Sequence, residues 1–166
     1  MKRLAVLIAT VGGVGYLRPA PGTWGSLVAL PLAWLLHIIG GFPLLVIGVI
    51  ASFLKGLWAT GVMTKDSDNH DPSEIVIDEV AGQWIALLPL SYAAWTRGLD
   101  ITVLWPGWVA AFVLFRLFDI TKPGPIGKAD RRGDPMGVML DDVIAGVFAA
   151  IGVMILAGLW HGVLAR

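Results

Sequence analysis

Two pairs of adjacent acidic residues are the part of this sequence best suited to chemistry. Asp78 and Glu79 stand immediately before an uncharged apolar run, and Asp141 and Asp142 stand before another. Carboxylates at a membrane boundary repel one another and lose hydration unless a positive charge compensates them. Because magnesium prefers hard carboxylate oxygens, the pairs predict a divalent-cation site. In the alternative interpretation, each acid only stabilises the first turn of a helix.

The two acidic pairs lie in similar local sequences. Residues 75–82 read IVIDEVAG, and residues 138–146 read VMLDDVIAG. In both segments three apolar residues lead into the acids, and valine and small residues follow. Small residues allow two helices to approach closely. The repeat therefore predicts one cluster of four carboxylates at a common depth, although so short a repeat can also arise by chance.

Basic residues stand between the acidic pairs. Arg116 and Asp119 are three residues apart and share one face of a helix, and Lys122 begins a KPGP turn that stops this helix. Asp130 and Arg131 follow in the same segment. Acids that hold a cation beside bases that hold an anion suit a metal-bridged phosphate. The alternative is a basic loop that only contacts anionic lipid headgroups.

A weaker phosphate-binding candidate is Thr23, near the N-terminus. It follows Pro21 and Gly22 at the start of an apolar run and is a natural N-cap for a helix. A glycine-rich helix start offers free backbone N–H groups to a phosphate. Capping alone would also explain the threonine.

The elements that must position these residues are membrane helices. Of the 166 residues, 57% are hydrophobic and 14% are charged, against about 45–50% and 25% in soluble domains. This excess excludes a disordered chain and makes an ordinary soluble enzyme a poor fit. We expect residues 1–166 to form one all-α domain, a polytopic membrane helical bundle of four to five membrane helices with short or re-entrant segments. The predicted helices are 23–39, 43–63, 80–95, 101–115 and 143–165.

Two further features of these runs shape the predicted bundle. Residues 40–43, GGFP, are a turn signal and make the first two helices a hairpin. The first 17 residues imitate a signal peptide, but no convincing cleavage site follows them. We expect them to stay in the mature protein as an interfacial helix or a re-entrant stretch.

The distribution of charge predicts the orientation. Nine lysine and arginine residues fall on the side that holds 1–22, 64–79 and 116–142, and two fall on the other side. The positive-inside bias makes the first side cytoplasmic. The same side holds 11 of the 12 acidic residues, so the chemistry is predicted to face the cytoplasm. A net charge of zero gives no case for nucleic-acid binding.

Taken together, these segments resemble the phosphatidylglycerophosphatase A family of bacterial membrane enzymes. The resemblance covers residues 12–146. Its most specific parts are PGTWGSL at 21–27, IVIDE at 75–79, FRLFD at 115–119, KPGPI at 122–126 with Asp130, and GVMLDDVIAG at 137–146. One departure is Asp134-Pro135, where family members tend to carry Gly-Gly before Met-Gly. The resemblance implies magnesium-dependent hydrolysis of phosphatidylglycerophosphate to phosphatidylglycerol, in the bacterial inner membrane.

The resemblance and the residues together imply roles for individual side chains. The predicted catalytic residues are Asp78, Glu79, Asp119, Asp130, Asp141 and Asp142. The predicted metal ligands, for one or two Mg²⁺ ions, are Asp78, Glu79, Asp141 and Asp142. The predicted phosphate-binding residues are Arg116, Lys122, Arg131 and Thr23. A water activated at this cluster would attack the terminal phosphorus in line. The donor of a proton to the leaving group and the oligomeric state stay open.

Other classes of function compete with a lipid phosphatase. A small transporter or channel could carry an acidic cation site, because intramembrane carboxylates often mark ion paths. Against it, the acids gather at one face, and 166 residues leave little room for two inverted repeats. A non-catalytic scaffold would tolerate the loss of magnesium and of the acids. The absence of cysteine excludes a cysteinyl-phosphate route.

Overall fold

A computed structural model describes residues 1–65, 72–160 and 162. These residues form helices and turns without a β-strand, which confirms the predicted all-α fold class. Two short 3₁₀ turns, Val14–Tyr16 and Ile101–Leu104, connect longer elements. The helices are α1 Lys2–Ala9, α2 Pro21–Thr64, α3 Ile77–Arg97, α4 Trp105–Thr121, α5 Pro125–Asp130 and α6 Pro135–Leu159.

Helix α2 is a hairpin of two arms and not one straight helix. Gly40 and Gly41 have non-helical dihedral angles, and Gly41 has a φ of 65° with a ψ of −159°, a region open essentially to glycine. Gly25 in the first arm and Gly56 in the second both pack against the segment that starts α3. The chain therefore returns to the end of the bundle where it began, which confirms the predicted turn at residues 40–43.

Helix α3 is the central element of the bundle. It packs against α2, α4 and α6, and 12 of its 21 residues are buried. Three helical segments are long and apolar enough to cross a membrane, namely Pro21–Thr64, Ile101–Thr121 and Pro135–Leu159, and α3 is not among them. Because its neighbours shield α3, it can carry buried polar residues such as Gln83 and Ser91.

The first arm of α2 runs parallel to α3, with contacts that advance along both helices in the same direction. The indole Nε1 of Trp84 donates a 2.8 Å hydrogen bond to the carbonyl oxygen of Ala29. Further along, Nδ1 of His37 lies 2.8 Å from Oγ of Ser91. These contacts pair the start of α2 with the start of α3, so residues near Gly22 lie beside the first turn of α3.

A close contact between glycines joins α3 to α6. A Cβ atom added to Gly146 would overlap the carbonyl oxygen of Gly82, and one added to Gly82 would overlap the ring of Phe115 and the carbonyl oxygen of Asp142. The predicted close approach through small residues is therefore confirmed. This contact places the acidic first turn of α3 beside the acidic second turn of α6. The contact of Gly82 with Phe115 brings α4 to the same end of the bundle.

The N-terminal segment folds back onto this end of the bundle. The backbone N–H of Val76 donates a 2.9 Å hydrogen bond to the carbonyl oxygen of Ala9, the last residue of α1. Ala5 and Ala9 are buried, whereas Leu4 and Leu7 are exposed. A helix of eight residues is too short to cross a bilayer, so an interfacial or re-entrant position for it stays a prediction.

The contact between α3 and α6 leads to a test with two alanine substitutions in one helix. Alanine favours helix over glycine by about 1 kcal/mol, so Gly158→Ala, where a Cβ meets nothing within 4 Å, should hold or raise the melting temperature. Gly146→Ala should lower it, because the added methyl group forces α3 and α6 apart at a cost of about 1–3 kcal/mol. Thermal unfolding in detergent measures both. Equal melting temperatures would contradict the close packing.

Candidate active site

A cavity of about 250 Å³ opens where α3 and α6 begin and α4 ends. The charged residues that line it are Asp78, Glu79, Arg116, Asp119, Lys122, Asp141 and Asp142. The fold thus brings seven of the ten predicted site residues to one cavity from three helix ends that are far apart in sequence. Thr23, Asp130 and Arg131 are not among the residues that line it.

Three carboxylates in this cavity could hold a metal ion. One ligand oxygen each from Asp78, Glu79 and Asp142 lies within 4.8 Å of the others. Asp78 and Asp142 are 7% and 3% exposed. Oε2 of Glu79 and Oδ1 of Asp142 are buried and have no hydrogen-bond partner among the described residues. Buried carboxylate oxygens without a partner are costly, and three hard oxygens fit magnesium. The donor set is therefore suited to the predicted ion.

Helix boundaries place these acids differently from the prediction. Helix α3 begins at Ile77, so Asp78 and Glu79 lie inside its first turn. Helix α6 begins at Pro135, eight residues before the predicted start, so Asp141 and Asp142 lie inside the helix and not before it. The reason is the start of α6: Oδ1 of Asp134 accepts a 2.7 Å hydrogen bond from the backbone N–H of Gly137, and Pro135 suits the first helical position.

Asp141 has surroundings of its own, apart from the three clustered acids. Its Oδ2 lies 2.7 Å from Nζ of Lys122, and its Oδ1 accepts a 2.9 Å hydrogen bond from the backbone N–H of Asp142. Lys122 also pairs with Asp130, which ends α5. The structure therefore turns Asp141 and Asp130 towards a lysine. A role for either acid as a metal ligand or catalytic residue stays a prediction.

Lys122 stands at the C-terminal cap of α4, as the predicted stop at the KPGP turn requires. Its backbone is left-handed, with a φ of 44° and a ψ of 53°, and its N–H donates to the carbonyl oxygen of Phe118 at 2.8 Å. Glycine is the usual residue at such a cap. Burial lowers the pKa of Lys122, but hydrogen bonds to Asp130 and Asp141 outweigh this effect and raise the pKa above its ordinary value. The raised pKa favours the charged ammonium form of Lys122.

Arg116 is the second cation of the cavity. Its Nη1 lies 2.5 Å from Oδ2 of Asp119, three residues along the same helix, as the spacing predicted. Its Nε is buried and has no hydrogen-bond partner among the described residues. The carboxylate thus fixes one edge of the guanidinium, and a role for Arg116 in phosphate binding stays a prediction.

The sequence interpretation missed Gly22, which lines the cavity with Pro21 and Ala20. A Cβ atom at Gly22 would overlap the carboxylate of Glu79 and lie 3.2 Å from Nη1 of Arg116. Glycine therefore lets α2 approach an acid and a base at once, and a side chain here would have to displace the Glu79 carboxylate. Its position after a proline at a helix start was the available signal, but the neighbour that demands it is 57 residues away.

The predicted cap role of Thr23 is wrong. Helix α2 begins at Pro21 with Ala20 at the N-cap, so Thr23 is the third residue of the helix. Proline is favourable at the first helical position because it has no N–H to satisfy and its φ is preset. Thr23 as a phosphate-binding residue stays a prediction. Arg131 is exposed and caps the C-terminus of α5, so its role towards phosphate stays a prediction as well.

Comparison with known proteins identifies the family. The family model described as phosphatidylglycerophosphatase A matches residues 7–157. The chain belongs to the phosphatidylglycerophosphatase A family. Membership confirms the resemblance seen in the motifs and shows that the chain is a phosphatase, which favours an enzyme over a transporter or a scaffold. A phospholipid substrate and a membrane location follow from the family.

Individual relatives cover most of the chain. A phosphatidylglycerophosphatase A from Haemophilus influenzae is 37% identical over 147 residues, 87% of this chain and 83% of that protein. One from Escherichia coli K12 is 38% identical over 146 residues, 87% and 78% of the two chains. A Bacteroides thetaiotaomicron protein, provisionally named a phosphatidylinositol-3-phosphatase, is 38% identical over 160 residues, 91% and 94%. No solved structure matches the chain.

The contact between Gly22 and Glu79 can be tested by metal binding. Gly22→Ala should displace the Glu79 carboxylate and weaken Mn²⁺ binding about tenfold or more, the loss typical when a metal ligand loses its support. Gly61→Ala is the matched control in α2, because a Cβ there meets only the Pro135 ring at 3.7 Å. Calorimetric titration measures both affinities. Wild-type affinity in Gly22→Ala would show that α2 does not position this carboxylate.

Proposed function

We propose that the chain hydrolyses phosphatidylglycerophosphate to phosphatidylglycerol and phosphate, with magnesium, at the cytoplasmic face of the bacterial inner membrane. The observation that carries the proposal is the cavity in which Asp78, Glu79 and Asp142 converge beside Arg116 and Lys122. Such a site offers ligands for a cation and donors for a phosphate together. The names of the Haemophilus influenzae and Escherichia coli relatives support this choice of lipid.

Each charged group has a role in this reaction. Asp78, Glu79 and Asp142 would hold the magnesium ion, which when bound supplies positive charge beside the phosphoryl oxygens. Arg116, steadied by Asp119, and Lys122 donate charge-assisted hydrogen bonds to the same oxygens. These donors are already in place before the substrate arrives, so little reorganisation is needed as charge develops in the transition state.

Hydrolysis also needs a group that accepts a proton from the attacking water. The acceptor must lie within hydrogen-bond reach of a water placed in line with the leaving oxygen. Asp119 and Asp142 both line the cavity, from α4 and α6 respectively. One of these two carboxylates accepts the proton. If Asp119 does so, Asp142 keeps the metal in position; if Asp142 does so, Asp119 keeps Arg116 in position.

The surroundings of the cavity suit a lipid headgroup. Leu117 and Ile120, on the same turns of α4 as Arg116 and Asp119, are 50% and 68% exposed. An apolar surface directly beside a charged cavity lets the acyl chains stay in the bilayer while the phosphate enters. The basic residues around the cavity follow the positive-inside bias, which supports a cytoplasmic site.

The central test is phosphate release from phosphatidylglycerophosphate by purified protein in detergent. Asp78→Asn and Asp142→Asn should each lose about a hundredfold or more in rate, the loss typical of removing one charge-stabilising group. Chelation of magnesium should have the same effect on the wild type. Asp134→Asn is the control, because Asp134 lies outside the cavity and asparagine also caps helices well. Full activity in Asp78→Asn or Asp142→Asn would refute the metal cluster.

The same preparation distinguishes between lipid substrates. Phosphatidylinositol 3-phosphate is the fair competitor, because the name of the Bacteroides thetaiotaomicron relative points to it. The proposal requires a higher kcat/KM for phosphatidylglycerophosphate. A preference for the inositol lipid would leave the site chemistry intact and change the substrate.

The orientation can be tested by labelling, since the chain has no cysteine. Lys128→Cys, in α5 beside the cavity, should react with a membrane-impermeant maleimide only after spheroplasts are opened. Leu99 lies just after the C-terminal end of α3 and is 43% exposed. A cysteine introduced there, Leu99→Cys, should therefore react in intact spheroplasts. The reverse pattern would place the cavity on the outer side of the membrane.

A further inference from the structure

We propose that an apolar groove between the first arm of α2 and the start of α4 binds one acyl chain of the lipid substrate. The groove has a volume of about 330 Å³ and is lined by Leu30, Pro31, Trp34, Thr102, Trp105 and Trp108. The inference rests on the proposed function, because the acyl chain belongs to the lipid whose phosphate enters the charged cavity. It concerns how the protein recognises the hydrophobic part of that lipid.

Helix α4 carries the groove and the cavity on one face. Two of its charged residues line the cavity, and two of its tryptophans line the groove. Each charged residue follows one of the tryptophans by eleven residues, and the pairs are Trp105 with Arg116 and Trp108 with Asp119. Because eleven residues make almost three helical turns, each tryptophan points to nearly the same side as its charged partner, about 16 Å away along the helix axis.

The first arm of α2 runs beside this face of α4 in the opposite direction. A Cβ atom at Gly22 would lie 3.2 Å from Nη1 of Arg116, so the two helices face each other at the cavity. Eight residues further along α2 is Leu30, eight residues back along α4 is Trp108, and both line the groove. Eight residues of helix span about 12 Å. The groove therefore lies between the same two helices as the cavity, about 12 Å from its charged groups.

This distance suits an acyl chain. The hydrocarbon core of a bilayer is about 30 Å thick, so the chains of one leaflet span about 15 Å. The groove lies about 12–16 Å along the helices from the charged residues. The acyl chain of a lipid whose phosphate is held in the cavity is therefore long enough to reach the groove.

The walls of the groove are apolar, as an acyl chain requires. The indole Nε1 of Trp108 donates a 3.2 Å hydrogen bond to the carbonyl oxygen of Ile101. The hydroxyl of Thr102 donates a 2.7 Å hydrogen bond to Oδ1 of Asp100. These two polar groups bond within the protein, so their side chains offer carbon surface to a ligand. Apolar pockets of this size are typical of sites for small hydrophobic ligands.

A comparison of acyl-chain lengths tests the groove. We expect Trp34→Ala to lower the ratio of kcat/KM for dipalmitoyl phosphatidylglycerophosphate to kcat/KM for the dihexanoyl lipid about tenfold, because only the longer chain reaches Trp34. Trp58→Ala, in the second arm of α2, is the matched control, since both tryptophans are 41% exposed and Trp58 does not line the groove. It should keep the wild-type ratio. Phosphate release in mixed micelles measures all four values.

Photolabelling locates the chain without relying on hydrolysis. The probe is phosphatidylglycerophosphate with a diazirine midway along one palmitoyl chain, mixed with wild-type protein and flash-frozen before irradiation. Mass spectrometry of peptides should find the label on residues that line the groove. An excess of unlabelled phosphatidylglycerophosphate should remove this label, whereas the same excess of phosphatidylcholine should not. Tryptophans also gather at membrane interfaces without selecting a lipid, and phosphatidylcholine distinguishes that case.

Three results would overturn the inference. They are equal ratios in Trp34→Ala and Trp58→Ala, a label that lies outside the groove, and a label that both lipids remove equally. Failure of the proposed function is seen separately, as wild-type protein that releases no phosphate from phosphatidylglycerophosphate of either chain length. In that event the position of the label still decides whether the groove holds an acyl chain.

Discussion

The structure depends on one electrostatic constraint: several carboxylates are gathered at one end of a bundle of apolar helices. A buried carboxylate is stable only with a cation or with hydrogen-bond donors. The protein meets this need in two ways at one cavity. Arg116 and Lys122 each neutralise a neighbouring acid, whereas Glu79 and Asp142 keep buried oxygens without a partner among the described residues. A metal ion bound to these buried oxygens would compensate their negative charge, and it would therefore stabilise the fold as well as serve the proposed reaction.

The helices bring the acids together through contacts that only small residues permit. Gly82 and Gly146 let α3 and α6 touch through their backbones, and Gly22 lets the start of α2 reach Glu79. Helices in a membrane gain little from hydrophobic burial against each other, so close van der Waals packing is the force that holds them. The same glycines therefore stabilise the bundle and set the distance between acids on different helices.

Much of this arrangement could be predicted from the sequence, because the relevant signals are local. Uncharged runs, the glycines at 40 and 41, and the spacing of Arg116 and Asp119 each act over a few residues, and the structure has the hairpin and the pair as predicted. Long-range facts could not be predicted in this way. The nearness of Gly22 to Glu79 depends on the packing of two helices, and the early start of α6 depends on a cap at Asp134 that composition does not reveal.

The two acidic pairs, which have similar local sequences, have different surroundings in the structure. Their similar motifs predicted one cluster of four carboxylates. In the structure the carboxylate of Asp141 pairs with Lys122, and the other three acids form one cluster. Neighbouring residues on a helix point about 100° apart. Asp78 and Glu79, in the first turn of α3, still bring their carboxylates to one cluster, whereas the carboxylates of Asp141 and Asp142, further inside α6, diverge. Asp142 faces the acids of α3, and Asp141 faces the turn after α4. The acidic pair of α6 therefore has two partners, and one of them is the ammonium of Lys122, which the left-handed cap at the end of α4 holds in place.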